Sequence, residues 1–524
     1  MNKRIISVLC CLLLLLTGCK GQKKENNDQG TEAPVLSGNI SLYMASPDTL
    51  HPLYTKQSSN IPIYNLIYDG LVYIAADSSV VPQLAESCTV SKDCKRIRFT
   101  LKPDIAWHDG TPFTAYDVLY TINLIKDEEN PTIYTNQLSA ISDVKVEDDL
   151  NIVIYLDYPY TRIVNLMDFP IVPKHKKDIY ETPCGTGQYK FVSIDSNKSM
   201  FLTKNTLWTL GDMPIEENIE VKITDNDTTA FSMLRLGELV AANATANDVA
   251  DIGFLDKMTV LNYPTLKYEF IGFNFNNTTL SDLAVRKAIS AAIDRSKIVE
   301  EAYYELGIPA NSPVPPSSYL YNKDADKVDY SENSCTEILK EGGWEDGDND
   351  GVLDKNIGGV SYSLATTMIV NSDNQMRVKA ADMIASKLNQ CGMYITVEKL
   401  PFEDYISRLQ CQSFNMFLGG VNFSQALDYG FLLSTNAASG GQNYMLYSSS
   451  DMDSAINDTY TSVSTEDLKK AYLQIQYVFT RDMPVVGLLF ENNAIIYRNA
   501  ILGVEAPCVS RPFCSINKWR FNKE

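Results

Sequence analysis

From residue 268 to about residue 480, short β-type runs alternate with capped amphipathic helices, and this alternation constrains the fold more than any other feature. "YEFIGFNFNN" (268–277) reads as a strand. Two helices follow, "SDLAVRKAISAAI" from Ser281 and "DRSKIVEEAYY" from Asp294, with Ser281 and Asp294 as N-caps for the free first-turn amides. "GIPANSPVPPSS" (307–318) is too rigid and too short of amide donors for sheet. "NSDNQMRVKAADMIASKLNQCG" (371–392) puts Met376, Ala380, Ile384, Leu388 and Cys391 on one helical face and ends at Gly392. "YITVEKL", "FEDYISRLQ" and "FNMFLGGV" continue as strand, helix and strand. "EDLKKAYLQIQYVFTRDMP" is a helix stopped by Pro484, and "VVGLLFENNAIIYR" reads as a buried pair of strands. Strands alternating with helices in this way predict an α/β lobe, because each helix covers a sheet face.

The first third has more hairpins. "ISLYMAS" (40–46) reads as a strand, "IPIYNLIYDGLVY" (61–73) as a helix ending at Asp69-Gly70, and "DVKVEDDLNIVIYL" (143–156) as a hairpin. In "WHDGTPFTAYDV" (107–118) a histidine beside an aspartate suggests catalysis, but the residues are punctuation. Asp109-Gly110 is turn chemistry, and Thr114 with Asp117 forms a capping box ahead of a helix with Val118, Ile122 and Ile125 inside. Gly185-Thr-Gly187 runs into a strand rather than a helix, so it is a backbone turn and not a phosphate cradle.

"MNKRIISVLCCLLLLLTGCKG" opens with Lys3 and Arg4, runs apolar for too short a stretch to span a bilayer, and ends in small residues before Cys19. Leu16-Thr17-Gly18-Cys19 resembles a bacterial lipobox, which implies cleavage after residue 18 and a lipid anchor on Cys19. Residues 19–38 read as a flexible tether. The body is expected at the extracellular face of a bacterial cell membrane, or in the periplasm, held by its lipid. The formal charge of −20 becomes −22 once Lys3 and Arg4 are removed, which disfavours nucleic acid as a partner. Eight cysteines remain: Cys88, Cys94, Cys184, Cys335, Cys391, Cys411, Cys508 and Cys514. Cys88 and Cys94 flank the hairpin turn "TVSKD", across which they could face each other, and Cys508 and Cys514 flank "VSRPF" in a similar way; disulfides and free buried thiols both remain open.

Over nearly all its exported length the chain resembles the bacterial extracellular solute-binding proteins of family five, the oligopeptide, dipeptide and nickel receptors of ABC importers. The likeness rests on "TLHPLY" (49–54), residues 80–122, "GTGQYKF", residues 284–316, "RVKAADMIASKLNQCGMYITVEKL" and "DMPVVGLLFENNAIIY", in that order. It implies a two-lobed α/β fold of the periplasmic-binding-protein type (type II, Venus-flytrap). Lobe one would cover 39–262 with a subdomain inserted at about 56–184, lobe two 263–480, and 481–524 would return to lobe one. It also implies a receptor with no catalytic residues, an expected monomer, that closes over a peptide or other small solute and presents it to an ABC transporter permease.

The resemblance places one wall of the ligand site in "MFLGGVNFSQALDYGFLL" (416–433). Gly419 and Gly420 would let backbone approach the ligand, Val421 stands where the family has tryptophan, Asn422 and Tyr429 would offer hydrogen bonds, and Phe423 an apolar face. Peptide receptors of the family place an aspartate for the peptide amine where this chain has Phe423, which puts a simple α-peptide in doubt; Asp428 is the substitute, and a blocked peptide or non-peptide solute stays open. His51 is the histidine expected to reach the cleft, a thin basis for nickel. Asp346, Asp348, Asp350 and Asp354 reproduce part of a calcium loop, but Ile357 stands where a bidentate glutamate belongs, leaving an acidic turn with, at most, a weak structural calcium and no other cofactor. Two rival classes are a peptide-sensing signalling lipoprotein and an exported hydrolase; against the latter, the chain has no GxSxG and no HExxH.

Overall fold

Two long strands, Met258–Phe273 and Val485–Arg498, run antiparallel side by side and tie the molecule together. The structure, a computed structural model, describes residues 39–195, 198–252, 257–325, 330–331, 334–508 and 510–522. The signal, Cys19 and the whole tether lie outside the described residues. Among the described residues no helix is long and apolar enough to cross a membrane.

At one end the pair of strands takes on Ala241–Ala244, beside Val485–Arg498. At the other end Met258–Phe273 pairs with Met416–Asn422, which continues through Ala365–Asn371 to Tyr394–Leu400 by parallel pairing. The ladder between the long strands shifts register between Pro264 and Tyr268, opposite Asn492 and Phe490. A proline lacks the amide a ladder needs, so the break falls where the sequence removes a donor.

The two four-stranded sheets lie in the first half. Ile40–Ala45 pairs parallel with Asn218–Thr224, which is followed antiparallel by Ser199–Lys204 and Tyr189–Asp195. A four-stranded antiparallel sheet, in the spatial order Ala85–Val90, Arg96–Leu101, Asn151–Leu156 and Ile141–Asp148, is covered by the helix Ala115–Ile125. One apolar core fills this half, a second runs along the long strands and the helix Gln375–Asn389, and a third lies under the helices Ser450–Thr461 and Thr465–Asp482.

The capping box of Thr114 and Asp117 forms as expected, and Val118, Ile122 and Ile125 are buried. His108 is indeed structural: it accepts the Gly185 amide on Nδ1 at 3.2 Å, its Nε2 meets the Gly187 carbonyl at 3.0 Å, and burial lowers its pKa to about 4. Four expectations change. The helix Leu283–Ala292 is capped by Asp282, while Ser281 ends a separate short helix. Gly307–Pro309 does pair with Val485–Arg498, because Pro309 sits at the end of a three-residue edge strand where its missing amide matters least. "VVGLLFENNAIIYR" is one strand, not two, since Met258–Phe273 pairs with it from end to end while Gly307–Pro309 and Ala241–Ala244 take parts of its other edge. Cys88 stands opposite Phe99 in its hairpin, while Cys94 occupies the turn and points at the Thr461 carbonyl, so the two do not face each other.

Candidate functional site

A cavity of about 820 Å³ opens beside the register break. One wall is Leu266, Asn422, Phe423, Ser424 and Gln425; the other is built from Tyr43, Pro62, Asn65, Asp168, Asp227, Asp248, Tyr263 and the Ser510–Phe513 segment. Its walls thus come from segments hundreds of residues apart, brought together by the long strands.

Local chemistry fixes the carboxylates. Asp227 occupies the first turn of Asp227–Leu236, behind the N-cap Asn226, whose side chain accepts the Thr229 amide. Asp248 reaches back from the first turn of Ala246–Ile252 to the Thr245 amide at 2.7 Å. Acidic side chains belong in first turns because they face unpaired amides and the positive helix end. Burial, and then the neighbouring Asp248, hold the Asp227 carboxyl above its ordinary range. Tyr43 Oη lies 3.0 Å from the Asn243 carbonyl and 3.3 Å from Asp227 Oδ1. Burial lifts Asp168 to about 6 against the opposing pull of Arg511. Arg511 is the only arginine or lysine among the described lining residues, and it is 3.5 Å from the fully enclosed Asp69. The cavity is therefore acidic, with its single cation already shared with carboxylates outside and inside the wall.

The residues expected to bind divide sharply. Asn422 and Phe423 do line the cavity. Phe423 turns its ring away into an aromatic cluster with Tyr268, Tyr429, Phe431 and Phe490, and is only 3% exposed. Gly419, Gly420 and Val421 are not on the wall. Gly419 and Gly420 are glycine for another reason: a Cβ at 419 would fall 2.4 Å from the Tyr405 hydroxyl, and one at 420 would fall 2.3 Å from Glu269 Oε1 and 2.7 Å from Arg377 Nη2. The backbone approaches a buried ion pair, not a solute. In that pair Arg377 donates twice to Glu269, each at 2.7 Å.

Asp428 and Tyr429 also miss the cavity. Asp428 accepts from the Tyr460 hydroxyl at 2.7 Å, the Gly430 amide at 2.8 Å and the Tyr160 hydroxyl at 3.3 Å, so it fastens the two halves rather than waiting for an amine. Tyr429 is buried and donates to the Pro313 carbonyl. His51 is buried between Tyr54 and Tyr180, accepts the Leu53 amide on Nδ1, and is held to about 4 by burial. The oxygens of Asp346, Asp348 and Asp350 lie within 4.8 Å of one another, but they already accept the amides of Asp350, Gly351 and Val352. Asp354 is not among them; it starts a strand and pairs with Glu345. The lining residues that sequence reasoning missed, Asp168, Asp227, Asp248, Ser424, Gln425 and Arg511, carry ordinary capping or loop patterns with nothing to mark them as convergent.

Residues 79–443 match the family model described as "Bacterial extracellular solute-binding proteins, family 5 Middle". The chain is 25% identical over 538 aligned residues to the oligopeptide-binding protein AppA of Bacillus subtilis, covering 98% of each chain. It is 23% identical to the dipeptide-binding protein of Escherichia coli, over 84% of this chain and 87% of that one. Among solved structures it aligns with the MppA periplasmic murein tripeptide binding protein in its unliganded open form at a TM-score of 0.80 and 17% identity, covering 94% and 98%. It aligns with Bacillus subtilis AppA in complex with a nonapeptide at 0.63 and 24%, covering 93% and 99%.

Proposed function

Because the chain belongs to the bacterial extracellular solute-binding proteins of family 5, which are two-lobed receptors for the substrates of ABC transporters and not enzymes, we propose that its solute is a peptide held in the acidic cavity beside the register break. The observation that carries this reading is the charge of the wall. With Phe423 turned into the aromatic cluster and Asp428 committed to two tyrosines, the peptide amine is taken by Asp227 and Asp248 from the opposite wall. A desolvated ammonium needs such a charged acceptor, since burying it against apolar side chains alone costs several kcal/mol.

We place the pivot between the lobes at Pro264–Tyr268 and Phe490–Asn492 rather than at 480/481. Val485–Leu489 still pairs with Glu269–Gly272, and only beyond Asn492 does the strand pair with Ala241–Ala244. Closure about these two points would bring Ser424 and Gln425 onto the ligand. Anchoring through lipid on Cys19, a monomeric state, delivery to a permease and a weak affinity for calcium at Asp346, Asp348 and Asp350 belong to the same proposal; the convergence of those three carboxylates supports the last.

Native mass spectrometry of the full chain purified from its own cells tests the reading. Co-purifying peptide masses that disappear in the Asp227→Asn variant support it. A non-peptide mass, or no mass together with no thermal shift across a peptide library, overturns it.

A further inference from the structure

Cys508 and Cys514 bracket the segment that brings Ser510, Arg511, Pro512 and Phe513 to the cavity wall. The chain folds back on itself there through two successive turns, with the Arg511 amide donating to the Cys508 carbonyl at 3.1 Å and the Cys514 amide to the Arg511 carbonyl at 3.0 Å. Cys508 and Arg511 also form an antiparallel bridge. These turns bring the two side chains beside each other, close enough for the thiols to influence one another, while the Cys514 thiol points at the Ala506 carbonyl at 3.9 Å. Both line a second cavity of about 280 Å³ beneath the segment, which they share with Arg511 and Phe513. Cys514 is partly exposed, so a small reagent reaches it without unfolding.

We propose that Cys508 and Cys514 are oxidised to a disulfide in the exported protein, and that this cross-link holds Arg511 at the mouth of the cavity. Extracellular and periplasmic compartments permit such a bond, and a seven-residue ring already closed by two backbone turns needs little rearrangement to accept it. Cys514 is the more exposed of the two and its thiol is lowered by the neighbouring Cys508, which makes Cys514 the attacking sulfur. The oxidant is a small disulfide. The Cys514 thiolate attacks one of its sulfurs and expels a thiolate, giving a mixed disulfide. Cys508 then loses its proton and displaces the second half of the oxidant. One sulfur–sulfur bond forms and one breaks, and the two electrons and two protons of the pair leave with two small thiols.

Arg511 gives this bond its consequence. Its guanidinium lies 3.5 Å from Asp69 and over the Tyr73 ring at 5.8 Å, and it reaches both cavities. Fixing the backbone on either side of it pre-organises the one cation on the wall. Cys335 and Cys391 also adjoin each other, but they are enclosed in the second core and touch no described ligand surface. The consequence for ligand rests on the cavity being the solute site; the bond itself does not.

The test uses the full chain incubated with oxidised glutathione, denatured, and treated with iodoacetamide before and after reduction. The expected result is no label on Cys508 or Cys514 before reduction and label on both after it. Hydrogen exchange of the folded protein then reports the clamp: the amides of Arg511, Phe513 and Cys514 should exchange at least several-fold faster after reduction, and equally fast in a Cys508→Ser variant with or without reductant. Labelling of both thiols before reduction overturns the bond, and unchanged exchange on reduction overturns the clamp. Neither readout needs a ligand, so a failed peptide reading leaves them untouched.

Discussion

Replacing Arg377 with methionine removes the partner of a carboxylate that has no access to water. Glu269 is 0% exposed, and after the substitution the Tyr303 hydroxyl at 3.4 Å is the remaining protein donor to its Oε2. Breaking a buried pair in this way costs about 3–5 kcal/mol. The folded variant can limit the loss by protonating Glu269 instead of leaving a bare charge in the core. Neutralising a glutamate of ordinary value 4.5 costs about 1.36 kcal/mol per pH unit, which is about 3.4 kcal/mol at pH 7 and about 0.7 kcal/mol at pH 5. The figure is an upper one, because Glu491, pushed to about 7 by burial and by Glu269, and its partner Lys267 at 2.8 Å adjoin the same carboxylate. The signs of wild type and variant are opposite. In the wild type, burial pushes Glu269 up but Arg377 outweighs it, so the folded value is depressed; the pair stabilises above pH 4.5 and this is lost as the pH falls through the depressed value. In the variant the folded value is raised, so stability is present below pH 4.5 and lost as the pH rises. The gap between the two proteins must therefore widen from pH 5 to pH 7 by about 2–3 kcal/mol. Urea denaturation at the two pH values measures it. A gap of equal size at both values, or a Glu269→Gln, Arg377→Met double variant no more stable at pH 7 than the single one, refutes the reasoning.

Gly420→Ala drives a Cβ into that same pair, 2.3 Å from Glu269 Oε1, and is expected to lower stability by about 1–3 kcal/mol in a thermal melt while leaving solute affinity unchanged. Asp227→Asn should weaken binding of a free-amine peptide by about 10- to 100-fold and that of its N-acetylated form hardly at all, as read by calorimetry. Because burial raises both Asp227 and Asp168, the latter to about 6, the same free-amine peptide should bind progressively more weakly as the pH falls from about 7 to about 5, with the acetylated form again the control. Phe423→Asp places a carboxylate among Tyr268, Tyr429 and Phe490, so it should destabilise the fold by about 3–5 kcal/mol in urea and gain no affinity for peptide amines.

Much of the architecture was legible in the residues alone. Strand and helix periodicity, the capping box at Thr114 and the stop at Pro484 act within a few residues, and they turned up in the structure where the pattern put them. Errors came where a distant partner decided the outcome. The pairing of Gly307–Pro309 and the continuity of Val485–Arg498 depend on neighbours far away in the chain. The site shows the same limit more severely. A glycine pair in "MFLGGVNF" reads equally well as room for a ligand or as room for the Glu269–Arg377 pair, because the occupant lies on other strands and helices. Likewise Asp227 and Asp248 look like routine first-turn acids until the long strands set them across a cavity from Ser424 and Gln425. Local order was thus encoded in short-range pattern, while the two-lobed family and the receptor class came from the resemblance carried by stretches such as residues 80–122 and 284–316. Which side chains face the solute was decided only by tertiary assembly, since convergence in space leaves no mark on spacing along the chain.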